Sequence, residues 1–61
     1  MGVTIEVCGE IRGETPAAIL FFDGDKEVWI PKSQIEHQKT EGFNTITITI
    51  PEWLAYEKEL I

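Results

Sequence analysis

The chain has little of what most chemistry requires. Its 61 residues hold one cysteine and one histidine. Cys8 has no partner within the chain, so no internal disulfide can form, which suits a reducing cytoplasm. A lone thiol of this kind is expected to be buried and inert. His37 stands between Glu36 and Gln38, with no Cys-x-x-Cys pair to complete a metal set. No metal and no cofactor is expected, and His37 is expected to be solvated.

Basic residues are scarce too. Arg12, Lys26, Lys32, Lys39 and Lys58 are dispersed among eleven acidic residues, for a formal charge of −6. A duplex-DNA binder concentrates Lys and Arg along one face to displace counterions, and no such stripe exists here. The acidity serves solubility and suits a protein partner with a basic patch. No apolar run is long enough for a membrane span, and the start has no basic segment before an apolar one. Neither a signal peptide nor a transmembrane helix is expected, and the expected location is cytoplasmic.

Catalytic patterns are missing as well. Ser33 lies in no Gly-x-Ser-x-Gly elbow. Asp23 and Asp25 flank Gly24, but the downstream ligands of a calcium loop do not follow. Gly9 and Gly13 fit no phosphate-binding loop. The expectation is a protein that is not an enzyme, with no catalytic residues. Residues 1–61 make one domain, close to the lower size at which a chain folds without disulfide or metal. So small a core leaves little room for a deep substrate cavity.

What is present is β pattern. Val3, Ile5 and Val7 alternate with Thr4 and Glu6, which predicts a half-buried strand with a bulge or bend near Gly9. Gly13 to Pro16 predicts a turn. Residues 17–22, "AAILFF", predict a central strand covered on both faces. "DGD" at 23–25 predicts a tight hairpin, and 26–30 the returning strand, with Val28 and Ile30 on one face and Glu27 and Trp29 on the other. Pro31 ends it. Ser33 and Glu36 have capping-box spacing, predicting one helical turn through Gln34 and Ile35. Residues 37–44 predict a polar loop with Phe43 buried.

"TITITI" at 45–50 is the clearest strand, with Ile46, Ile48 and Ile50 inward. "PEWLAYEKELI" predicts a terminal helix opened by Pro51, with Trp53, Tyr56 and Leu60 as its apolar stripe. The fold class expected is mainly β, an α+β chain. It is a small antiparallel sheet, or an SH3- or OB-like barrel, of four or five strands with a short C-terminal helix.

The candidate partner-binding residues are Trp29, Lys32 and Gln34, since the strand, its Pro31 stop and the cap explain the rest of "EVWIPKSQIE". Two placements of Trp29 stand. It points outward and anchors a partner, or it packs under the terminal helix against Trp53 or Tyr56, which the need for core area favours. The first function expected is a non-catalytic interaction protein that binds a larger protein. The alternative is a single-stranded nucleic-acid-binding, OB-like module that stacks bases on Trp29, Phe22 or Phe43 beside Lys26 and Lys32. A homodimer through an exposed edge or through the TITITI strand is a further expectation.

"WIPKSQ" at a strand end, followed by "PEWLA" in the terminal helix, resembles a group of small bacterial and phage proteins with no established activity. The resemblance covers roughly residues 17–61 and is carried by Trp29, Pro31, Lys32, Ser33, Gln34, Pro51, Glu52, Trp53, Leu54 and Ala55. "TEGFN" and "YEKELI" depart from it. It implies a phage or mobile-element setting, in which tiny acidic proteins bind and block or adapt a larger protein, and it implies no catalytic residue.

Overall fold

The threonine–isoleucine alternation forms β5 (Thr45–Pro51), and every isoleucine in it is buried. A computed structural model describing residues 2–61 places four more strands around it. These are β1 (Thr4–Glu14), β2 (Ala18–Phe22), β3 (Glu27–Pro31) and β4 (His37–Thr40). A 3-10 turn (Lys32–Gln34) links β3 to β4, and α1 (Glu52–Glu57) follows β5. The chain is mainly β, as expected: one antiparallel five-stranded sheet in the order β3-β2-β1-β5-β4.

β1 organises the sheet. Its first part pairs with β5, from Thr4 opposite Pro51 to Glu10 opposite Thr45. Its last part pairs with β2, from Glu10 opposite Phe22 to Glu14 opposite Ile19. The bulge expected near Gly9 lies further along: pairing with β5 is regular through Gly9, and the register to β2 slips by one residue between Ile11 and Gly13. The strand therefore runs through both glycines, past the turn expected at Gly13; the turn begins at Thr15. There the Thr15 hydroxyl accepts the Ala18 N–H (3.0 Å).

One face of this sheet carries the core. Ile19, Phe21, Ile30, Ile46, Ile48, Ile50, Leu54 and Ala55 are buried together, with Ile5, Val7, Ile11, Val28, Ile35 and Leu60 packed against them. Residues from β3, near one end of the sheet, and from β5, near the other, share this cluster. A single sheet can bring them together only by curling around them. β3 and β4 do not pair, so among the described residues the sheet stays open, with two free edges. β5 lies between β1 and β4, so TITITI offers no free edge for a homodimer.

Several local expectations are corrected. The opposite face of β2 is only half covered, because Ala18, Leu20 and Phe22 are half-buried while Ile19 and Phe21 are buried. Residues 37–40 form a strand whose four side chains are all exposed. Phe43 is 93 % exposed, not buried. Cys8 is exposed, because it alternates out of phase with Val7 and faces away from the core opposite Thr47. The helical turn starts at Lys32, with Pro31 ahead of it and no side-chain cap, so Ser33 and Glu36 form no capping box.

In α1 the buried residues are Leu54 and Ala55, while Trp53 and Tyr56 are 54 % and 62 % exposed. Six helical residues can lay only a narrow stripe on the sheet. The small Ala55 lets the backbone approach closely, where two large rings would hold the helix away.

Candidate functional site

The hairpin between β2 and β3 sets the position of Trp29. Gly24, at the first central position of the turn, has φ +104°, a conformation that favours glycine. The Asp23 carboxylate accepts the N–H groups of Asp25 and Lys26 (2.8 Å each), and Lys26 Nζ closes on its other oxygen at 3.2 Å. Those backbone bonds, first the one from Lys26 and then that from Asp25, hold the Asp23 carboxyl below its ordinary value. The fixed turn locks the register Phe22–Glu27, Leu20–Trp29 and Ala18–Pro31.

Because β-strand side chains alternate, Trp29 shares the outer face with Leu20, while Val28 and Ile30 face the core. Trp29 is 46 % exposed. α1 packs on β5 and β1 and puts Leu54 and Ala55 into the core, so it covers the other face. Trp29 is therefore not packed under the helix against Trp53 or Tyr56; the placement that core area favoured is overturned. The core fills instead with isoleucines and Phe21.

The surroundings of Trp29 form a shallow apolar surface. Leu20 lies directly across from it, and Gly13 lies across from Leu20 on the far side. A side chain at Gly13 would begin 3.5 Å from the Leu20 Cβ, so its absence leaves Leu20 open along that row. Ala18 and Pro31, both half-buried, make the next row. On the other side, the Arg12 guanidinium sits 4.1 Å from the centre of the Phe22 ring. Arg12 also pairs with Glu10 (3.0 Å) and Glu27 (3.7 Å), so it caps Phe22 and stays neutralised.

Lys32 has a structural duty that its sequence context did not disclose. Its ammonium donates to Glu14 Oε2 at 2.6 Å and its backbone N–H donates to the Ala17 carbonyl, tying the 3-10 turn to the ends of β1 and β2. Gln34 closes that turn, half-buried. The surface is thus an apolar centre, Trp29 with Leu20 and Pro31, between the Arg12 cluster and the Lys32–Glu14 pair. Sequence reasoning found Trp29 and Lys32, and Phe22 as a stacking candidate, and missed Leu20, Arg12 and Pro31. The alternation Ala18, Leu20, Phe22 could have shown Leu20; reading "AAILFF" as covered on both faces concealed it.

The arrangement offers shape and charge rather than reactive groups. Among the described residues no cavity forms and no three potential metal ligands come together. The lysines beside the aromatic residues, Lys26 and Lys32, are both held by carboxylates. Among the described residues no helix is long and apolar enough to cross a membrane. Comparisons with protein-family models, with curated proteins and with solved structures give no match for this chain.

Proposed function

We propose that this chain is a non-catalytic interaction protein of the cytoplasm whose outer sheet face, centred on Trp29, docks on a larger protein. One observation carries the reading: Trp29 is 46 % exposed on the sheet, opposite Leu20 and two residues from Pro31, and among the described residues no element packs over it. Tryptophans at the centre of a desolvated patch with a polar rim are what protein interfaces use as anchors. The charge of −6 favours a partner surface that is basic around an apolar centre. The resemblance to small bacterial and phage proteins supports the same role, binding and modulating a larger protein.

Affinity capture from a bacterial lysate tests this, with wild type, Trp29→Ala and Lys32→Ala compared at equal folded concentration. Loss of the specific partners with Trp29→Ala, and a smaller loss with Lys32→Ala, is the expected outcome. Equal recovery by all three would remove this face from the function. Single-stranded nucleic acid is tested separately by Trp29 fluorescence in a Trp53→Phe background. Oligonucleotide at low salt is expected to leave the emission unchanged, because Lys26 and Lys32 are already paired. Salt-sensitive quenching would favour the nucleic-acid alternative.

A further inference from the structure

The two free edges of the sheet differ. On β3 the backbone groups turned away from β2 belong to Glu27, Trp29 and Pro31, because Asp23 donates to the Lys26 carbonyl and bonding alternates from there. Pro31 has no N–H, and it blunts that edge as edge prolines do. On β4 there is no proline, and its guards are its four-residue length and the charge of Lys39. Glu41 donates to the Thr45 carbonyl, so Lys39 and His37 also bond inward to β5. The N–H and C=O of Gln38 and Thr40 therefore point off the sheet, and all four β4 side chains are exposed.

We propose that this edge pairs with the same edge of a second copy, giving a two-fold dimer with a continuous ten-stranded sheet, and that the pairing is centred on Thr40. Three antiparallel registers bring outward backbone groups together, centred on Gln38, Lys39 or Thr40. In each of them four backbone hydrogen bonds form. In the Gln38 register Thr40 donates to a Glu36 carbonyl, and the Glu36 N–H is already used by Thr49. In the Thr40 register the two Thr40 residues exchange two bonds and each Gln38 donates to a Gly42 carbonyl, the Gly42 N–H being turned to Thr45. Backbone bonding does not choose between them, so side chains must.

The charges choose. Lys39 and Glu41 lie on the outer face, Lys39 opposite Thr47 and Glu41 accepting the Thr47 hydroxyl at 3.2 Å. Among the described residues, Lys39 and Glu41 take part in none of the chain's ion pairs. Centred on Lys39, the pairing would set the two lysines face to face, which is unfavourable. Centred on Gln38, it sets Lys39 opposite His37, with no attraction gained. Centred on Thr40, it sets Lys39 of each copy opposite Glu41 of the other, two complementary pairs at once. The edge lies across the sheet from Trp29, so this dimer and the docking role stand or fall separately.

Sedimentation of the whole chain over a range of concentrations tests the proposal. A short edge makes a small interface, so a concentration-dependent monomer–dimer equilibrium is expected. Thr40→Pro removes an N–H that β5 does not use and is expected to leave monomer only. Lys39→Glu is expected to weaken the dimer about tenfold or more by opposing like charges twice. Adding Glu41→Lys to that variant is expected to restore it. A monomeric wild type at every concentration up to about 100 μM, where even a small interface should show, would overturn the dimer. A dimer that the double charge swap fails to restore would overturn the Thr40 register.

Discussion

Single residues at one turn and one crossing govern how this chain folds up. Asp23 is the clearest case. Its carboxyl is held below the ordinary value of 3.8 by the backbone N–H groups it accepts. A group whose folded value is depressed contributes stability above its unfolded value and loses it as pH falls through the folded one. Asp23→Ala is therefore expected to cost about 1 kcal/mol near neutrality, from the lost turn bonds. In urea denaturation that difference should shrink as pH drops below 3.8. A difference that stays constant down to acid would assign the effect to chain entropy instead. Gly9 is the second case. A Cβ there would fall almost on the Phe22 carbonyl oxygen and 2.7 Å from the Phe21 ring, and the oxygen belongs to backbone that cannot swing aside. Gly9→Ala is expected to destabilise by about 1–3 kcal/mol, as overpacking does. "VTIEVCGE" shows a glycine after a strand pattern; it does not show that Phe21 crosses over it, because that contact joins residues brought together only by strand pairing.

Among the elements, those with a buried face were legible and those without were not. β5 reads directly from its alternation, and β3 from Val28 and Ile30 with the Asp-Gly turn before it. β4 has four exposed residues, so no hydrophobic period betrays it; only its ladder to β5 makes it a strand. α1 misled for another reason. Trp53 and Tyr56 outweigh Leu54 and Ala55 in apolar area, yet the backbone leaving the buried Pro51 turns the smaller pair to the core. The expected consequence separates the faces. Leu54→Ala should cost about 2–5 kcal/mol by leaving a cavity, and Trp53→Ala should change stability by less than about 0.5 kcal/mol. Paired urea titrations check this. A larger loss at Trp53 would return the stripe to the aromatic side. The candidate surface was half legible for the same cause: Trp29 stood out by type, while Leu20 and Arg12 joined it only through register across β2 and β1.

For the whole molecule, charge and size set the scale of the last expectation. The radius of gyration is 10.5 Å, about the Debye length at 0.1 M salt. At low salt, then, every one of the eleven acidic residues feels most of the others. Opposing this are a few surface ion pairs, Arg12 with Glu10 and Glu27, Lys26 with Asp23 and Lys32 with Glu14. Each such exposed pair contributes about 0–1 kcal/mol and is itself screened. With a net charge of −6, repulsion among the acids outnumbers these attractions, and the unfolded chain relieves it by expanding. Screening should therefore help the folded state more than it harms the pairs. The urea midpoint is expected to rise between about 0.01 M and 0.5 M sodium chloride, as the Debye length falls well below the molecular radius. Chloride is the salt to use, since sulfate strengthens apolar burial by a separate route. A midpoint that falls instead would mean that the ion pairs around Trp29 hold the sheet more tightly than the net charge loosens it, and Arg12→Ala would then be the variant that abolishes the salt dependence.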